Sequence, residues 1–227
     1  MPARAVPHGK VWQVMRKDQT VAHGVLRKLG RIGAIASAFA LALPAAAQFQ
    51  SEGYQFLEAV KESDGDKATE MLSKPGTQVV NTRDITSGDT GLHIAVARSD
   101  TLWVRFLLQK GADPNLRNKK GATPLQLATA LGFNDGVAAL IKGGASIDIA
   151  DQTGETPLIT AVHARNVELA RLLLEKGADP DRNDNSGRSA RNYMELMNGN
   201  DILKQVFADA DAKRAAAGTK KEYGPSF

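Results

Sequence analysis

Self-similarity at a spacing of 33 residues constrains this chain more than any other feature. Thr156-Pro157-Leu158 stands 33 residues after Thr123-Pro124-Leu125, and Gly177-Ala178 stands 33 after Gly144-Ala145. One step earlier, Thr90, Leu92, His93 and Ala95 fall in phase, followed by Gly111-Ala112-Asp113-Pro114-Asn115. One step later, Gly187 and Ser189 fall in phase too. A fixed period of this length means an array of one supersecondary unit, each copy burying its apolar face only against its neighbours. The 227 residues therefore predict one repeat domain rather than two globular ones.

The physics of the unit is readable in its three central copies. Thr90, Thr123 and Thr156 stand where a first helix opens, with a hydroxyl to accept from exposed N–H groups. Pro124 and Pro157 follow in the first turn, where a missing N–H is harmless; Gly91 replaces them in the earlier copy. Leu92, Ile94, Ala95 and their equivalents form one apolar face. A second helix carries Leu102, Val104, Leu107 and Leu108, then Val137, Leu140 and Ile141, then Val167, Leu169, Leu172 and Leu173. Gly111, Gly143-Gly144 and Gly177 end these helices. Segments 113–121, 146–154 and 179–187 then form fingers between copies.

Thr90-Gly91-Leu92-His93-Ile94-Ala95, Thr123-Pro124-Leu125-Gln126-Leu127-Ala128 and Thr156-Pro157-Leu158-Ile159-Thr160-Ala161, with the Gly-Ala-Asp pieces at 111 and 177, resemble the ankyrin repeat. The resemblance covers roughly Gln55 to Phe207. It implies an all-α repeat fold, a solenoid of about five helix-turn-helix repeats joined by β-hairpin fingers. Their limits are expected near 55–84, 85–120, 121–153, 154–186 and 187–208. The first copy is degenerate, and its charged residues suit a cap with no outer neighbour. Residues 48–54 read as a linker. The tail 209–227 is small, charged and without periodicity, so it is expected to be disordered, with Tyr223 and Phe227 as the groups that could dock.

Two departures from the pattern carry structural expectations. The family favours glycine at the helix–helix turn; Gly132 keeps it, while Ser99, Arg165 and Asn198 stand at the same phase. Gly136 stands where the flanking copies have Trp103 and Leu169, and Trp103 is expected to lean into the space that Gly136 vacates.

Ahead of the array, Arg27, Lys28 and Arg31 precede the apolar run Ile32 to Leu43, followed by Pro44 and Ala45-Ala46-Ala47. Basic segment, short apolar core and small-residue exit are the parts of a secretory signal peptide. As a helix the run rises only about 18 Å, against about 30 Å of hydrocarbon. Residues 1–47 are therefore expected to be cleaved near Ala47–Gln48, placing the mature chain in the periplasm or outside the cell. Met15 suits this signal better than Met1 as a start, which leaves residues 1–14 as an over-extension.

The formal charge of +4 suggests nucleic acid until its distribution is considered. Seven of the 29 basic residues and one of the 25 acids precede residue 48, leaving 22 bases against 24 acids. A phosphate-binding fold needs a basic footprint on its folded part, so no nucleic-acid partner is expected. With no cysteine there is neither disulfide frame nor thiolate metal site.

Chemistry is sparse as well. In the Thr-x-Leu-His motif the family resemblance gives His93 a structural role, bonded to Thr90 and nearby backbone. His163 is alone, and a lone histidine makes no metal site; it reads either as a binding residue or as an idle one. Asp113, Asp148 and Asp179 recur as turn formers. Asp181, Asp184 and Asn185 crowd one finger as Asx-turn residues or as a cation site. No enzyme, cofactor or metal is expected.

Function should then lie on the finger tips and the exposed face of the first helices, which the resemblance implies is concave and variable. Candidate partner-binding residues are Arg98, Arg117, Lys119, Lys120, Gln152, Thr153, Glu155, His163, Asn185 and Arg188. Arg117, Lys119 and Lys120 make one finger basic, either as a solvated run or as a contact for an acidic patch. The expected partner is another protein, met by a monomer with no stable membrane insertion after cleavage. A carrier or accessory protein for a metal, haem or small molecule is the other class; Ala97, Ala130, Leu131 and Ala164 offer it only a shallow strip.

Overall fold

A hydroxyl or Asx residue at the start of a helix sets where each repeat begins. The computed structural model describes residues 51–197 and 201–219. Helices α1 (Glu52–Glu62) and α2 (Gly65–Leu72) form the first pair, and a single 3-10 turn follows at Val79–Asn81. Then come α3 (Gly91–Ala97) with α4 (Thr101–Gln109), α5 (Pro124–Ala130) with α6 (Asn134–Lys142), α7 (Pro157–His163) with α8 (Val167–Glu175), and α9 (Ala190–Leu196) with α10 (Asp201–Thr219). Five helix pairs are thus present among the described residues. The expected signal peptide and Asn198 lie outside the described residues.

Thr90, Thr123, Thr156 and Ser189 are the N-caps of α3, α5, α7 and α9, and all four are buried. In α5 the cap is reciprocal: Gln126 N–H donates to Thr123 Oγ1 at 3.3 Å, and Thr123 N–H donates to Gln126 Oε1 at 2.9 Å. Two orphan donors are satisfied at once. His93 takes the glutamine's place in α3. Thr90 N–H and Oγ1 lie 3.2 and 2.9 Å from its Nδ1, and its Nε2 lies 3.0 Å from the Ala122 carbonyl of the next repeat. With Nδ1 accepting, Nε2 carries the proton, so one neutral imidazole closes a cap and ties two repeats together. The ring is fully buried, and desolvation holds its pKa below the ordinary value of 6.5.

One continuous core runs through the pairs. Phe56, Leu92, Leu125 and Leu158 come from the first helices, and Leu107, Leu140 and Leu173 from the second. Each such leucine contributes about 1.5–3 kcal/mol by leaving water. Pro124 and Pro157 sit at N1 as expected, and Gly111, Gly144 and Gly177 have the positive φ that ends α4, α6 and α8. Ser99 and Arg165 adopt the same left-handed conformation at φ 55° and 52°, and Ser63 does so at 60° in the first repeat.

Several expectations are corrected. Residues 52–54 belong to α1 rather than to a linker, because Ser51 Oγ accepts from Tyr54 N–H at 3.2 Å and caps the helix. The tail is helical to Thr219. Its alanines favour helix, Ala210 is buried, and Arg191 on α9 holds Asp211 at 2.9 Å. Residues 220–227 lie outside the described residues. Trp103 does not fill the space at Gly136: a Cβ there would stand 2.2 Å from the Phe133 ring, which comes from the N-cap of Gly136's own helix. The fingers carry isolated bridges, Arg83 with Thr90 and Asn183 with Ser189, rather than strand ladders.

Candidate functional site

Each finger is built on one Asx side chain. Asp84 Oδ1 accepts from Thr86 and Ser87 N–H, and Asn118 Oδ1 from Lys120 and Ala122 N–H. Asp151 Oδ1 accepts from Thr153 and Glu155 N–H, and Asp184 Oδ1 from Ser186 and Arg188 N–H. A short acceptor that bonds its own following backbone forms such a turn without a strand. Two backbone bonds close each finger, as from Asn118 N–H to Ala122 O and from Gly121 N–H to Asn118 O, both at 2.9 Å. Neighbouring fingers also bond to each other: Lys119 N–H to Ser87 O at 2.9 Å, and Asn185 N–H to Thr153 O at 3.1 Å. That proximity demands glycine, since a Cβ on Gly154 would stand 2.5 Å from the Asn185 nitrogen.

This frame decides which of the sequence-predicted residues face a partner freely. Arg98 donates to the Val60 and Lys61 carbonyls at the end of α1 and lies 3.5 Å from Asp100. Arg117 is half-buried and donates to the Gly121 carbonyl at 2.5 Å and the Ala150 carbonyl at 2.7 Å. Lys119 Nζ reaches the Ile85 carbonyl. Of the basic finger, only Lys120 is exposed with no side-chain partner among the described residues. Gln152 and Thr153 lend their carbonyls to Asn185, so these three also join one finger to the next.

Glu155, His163 and Arg188 instead converge, together with Tyr193 and Asp184. Glu155 Oε1 accepts from Thr160 Oγ1 at 2.9 Å and lies 3.3 Å from His163 Nδ1. The His163 ring meets Tyr193 edge to face, and Arg188 lies over the Tyr193 ring at 5.9 Å. Tyr193 Oη donates to Asp184 Oδ2 at 2.7 Å, and Ser186 Oγ lies 3.2 Å from the same phenol. The Tyr193 hydroxyl, with the Arg188 N–H and Ser186 behind it, holds the Asp184 carboxyl well below the usual range. It therefore stays ionised. The cluster offers a carboxylate pair, an aromatic edge and one guanidinium across two consecutive repeats.

By sequence, Tyr193 counts with Leu196, Ile202, Leu203, Val206 and Phe207 in the apolar face of the last repeat, and Asp184 is either an Asx-turn residue or a cation ligand. The signal that could have joined them was phase: Tyr193 is one residue beyond the His93 and Gln126 cap position, beside the finger that Asp184 opens. No hydroxyl or thiol bonds the His163 ring among the described residues. No group of three or more His, Cys, Asp or Glu could hold a metal ion among them, and no helix among them is long and apolar enough to cross a membrane.

Stacked helix pairs with a bonded row of fingers define a repeat solenoid. A family model described as Ankyrin repeats (3 copies) matches residues 56–151, 92–184 and 132–214, together more than half of the sequence. The chain belongs to the ankyrin-repeat family. It is 39% identical over 71 residues to human oxysterol-binding protein-related protein 1, covering 31% of this chain and 7% of that one. It is 40% identical over 76 residues to human 2-5A-dependent ribonuclease, covering 34% and 10%. It is 43% identical over 51 residues to an ankyrin repeat protein of Rickettsia felis, covering 21% and 22%. The chain thus spans less than a quarter of the length of each of these relatives.

Proposed function

We propose that this chain is a non-catalytic protein-interaction module that is exported and works as a monomer in the periplasm or outside the cell. Its partner is another protein, read by the finger face with the His163–Tyr193 cluster at its centre. Ankyrin repeats serve as protein-interaction modules, and the observation that carries this reading is the cluster itself. Four of its side chains, from two repeats, are held by mutual bonds or ring contact, with Arg188 over the Tyr193 ring, so less side-chain entropy remains to be lost on binding. Aromatic and arginine side chains are also the groups that most often anchor protein interfaces. The basic segment and apolar core before Gln48 support export.

Affinity capture with the full chain, beside His163→Ala and Arg188→Glu variants, tests the site. Both substitutions are at exposed positions outside the core. A protein held by the native chain and released at least tenfold faster by both variants is the expected result. Equal retention by all three would overturn the placement. N-terminal sequencing of exported protein should begin at Gln48; an intact leader on exported protein would overturn the cleavage site.

A further inference from the structure

The outer face of the second helices carries a groove that the finger surface does not explain. Aligning the helices by phase shows its origin. Ala138 on α6 stands where α4 and α8 have Arg105 and Arg171, and Ala139 where they have Phe106 and Leu172. Gly143 stands where they have Lys110 and Lys176. Leu108 fills the space at Gly143, 2.7 Å from where a Cβ would sit, while the small Ala138 and Ala139 leave an open groove of about 760 Å³ whose lining includes Leu108 and Ile141.

Its rim is one-signed. Arg105, Lys142 and Lys176 line it, all exposed, and no carboxylate does. None of these three side chains makes an ion pair or hydrogen bond among the described residues. Unpaired cations occur elsewhere on the described surface, as at Lys120, but here three of them surround one aliphatic floor. Three free cations around an aliphatic floor complement a ligand with negative charge outside and an apolar centre. The groove is too open to enclose an acyl chain, since small-ligand sites bury most of their ligand. A phosphate backbone has no apolar group to cover the floor and draws on longer basic tracks.

We propose that this groove is a second docking surface, for an acidic segment of a partner protein that sets one or two aliphatic side chains against α6. Charge on the rim steers and orients that segment, and the small residues of α6 admit its apolar side chains. The surface lies on the opposite helices of each pair from the His163–Tyr193 cluster, and does not depend on it.

The test selects a phage-displayed library of random twelve-residue peptides on the full chain and measures the winners by fluorescence anisotropy. Three variants are compared. Ala138→Leu fills the groove without changing charge. Arg105→Glu/Lys142→Glu reverses the rim without filling it. His163→Ala leaves both intact. Peptides rich in Asp and Glu with paired aliphatic residues should emerge, bind at least tenfold more weakly to the first two variants, and bind His163→Ala as they bind the native chain. Circular dichroism and melting of Ala138→Leu confirm that it folds, as the bulky side chains at this phase in α4 and α8 predict. Failure to enrich any peptide, or winners without acids, would overturn the proposal. So would binding indifferent to Ala138→Leu, which would mean surface charge alone. A native dimer in sedimentation that Ala138→Leu dissolves would name a second copy of this chain as the occupant instead, and would also overturn it.

Discussion

The Phe133 ring occupies the space that a side chain at Gly136 would need, 2.2 Å from where its Cβ would sit. Phe133 is the N-cap of α6 and makes no side-chain cap bond, whereas Asp100 and Asn166 at the same phase accept from the Trp103 and Leu169 N–H groups at 3.0 Å. One repeat has thus exchanged a polar cap for an aromatic plug. Gly136→Leu alone should destabilise by about 1–3 kcal/mol through overpacking. Phe133→Asn/Gly136→Leu, which rewrites the start of α6 in the manner of α8, should regain that loss and add about 1 kcal/mol from the new cap. Urea melts of the four members of the cycle measure both, and additivity would refute the pairing.

His93 makes the array sensitive to mild acid. Its folded pKa lies below the unfolded value of 6.5, so the unfolded chain binds more protons between the two. Its contribution to stability is therefore complete above pH 6.5 and lost as pH falls through the folded pKa. His93→Gln, with the group that Gln126 uses at the same phase, should remove this part of the pH dependence at small cost. His93→Ala leaves a buried cap and the Ala122 carbonyl without partners and should cost about 2–3 kcal/mol. Thermal melts from pH 5 to 8 on the three proteins decide it.

Arg165 bears a left-handed backbone with φ 52° at an exposed helix–helix turn. Such a conformation costs a residue with a Cβ about 1–2 kcal/mol, offset in part by the extra unfolded-state freedom of glycine. Arg165→Gly should raise the melting temperature by an amount corresponding to about 0.5–1 kcal/mol. An unchanged or lower value would count against strain at this turn.

Arg191 fastens the last helix. Its guanidinium lies 2.7 Å from Asp181 and 2.9 Å from Asp211, and stands 5.8 Å from the centre of the Phe207 ring. Asp211 is held below the usual carboxylate range by that guanidinium. Both carboxylates are partly exposed, so the clamp is worth about 1–2 kcal/mol including its packing. Arg191→Ala should speed hydrogen exchange in α10 while leaving α3 to α6 unchanged; uniform acceleration would show global destabilisation instead. As pH falls below 3.8 the Asp211 arm should weaken, because this carboxylate contributes only while ionised.

Local rules carried most of the fold into the sequence. The hydroxyl caps, the proline at N1, the apolar periodicity and the terminating glycines each act within one helix, so they were legible residue by residue. The Gly136 pairing was not, because phase alone shows a missing side chain without showing which neighbour fills it. The end of α10 was hidden for a different reason. Asp209-Ala210-Asp211-Ala212 has too few apolar residues to declare a face, and only the contact with Arg191 reveals one. At the candidate site, His163, Glu155 and Arg188 were named as partner-binding candidates from their finger and helix phases. Tyr193 was assigned to the core face and Asp184 to a turn or a cation site, since a sequence does not show that a phenol from one helix reaches the carboxylate of a finger. Arg98, Arg117 and Lys119 were read as free because a carbonyl acceptor leaves no mark in the residue type that donates to it.

Arg117 has a consequence of its own. Hydrogen bonds to the Gly121 and Ala150 carbonyls hold its guanidinium in place without discharging it. A diffusing molecule is drawn by its field within about 8 Å at physiological salt, yet meets a group with two of its five N–H donors already engaged. For the partner proposed at the finger face, Arg117 is therefore expected to act on how often encounters begin and how steeply salt suppresses them, and exposed Lys120 beside it on how long they last.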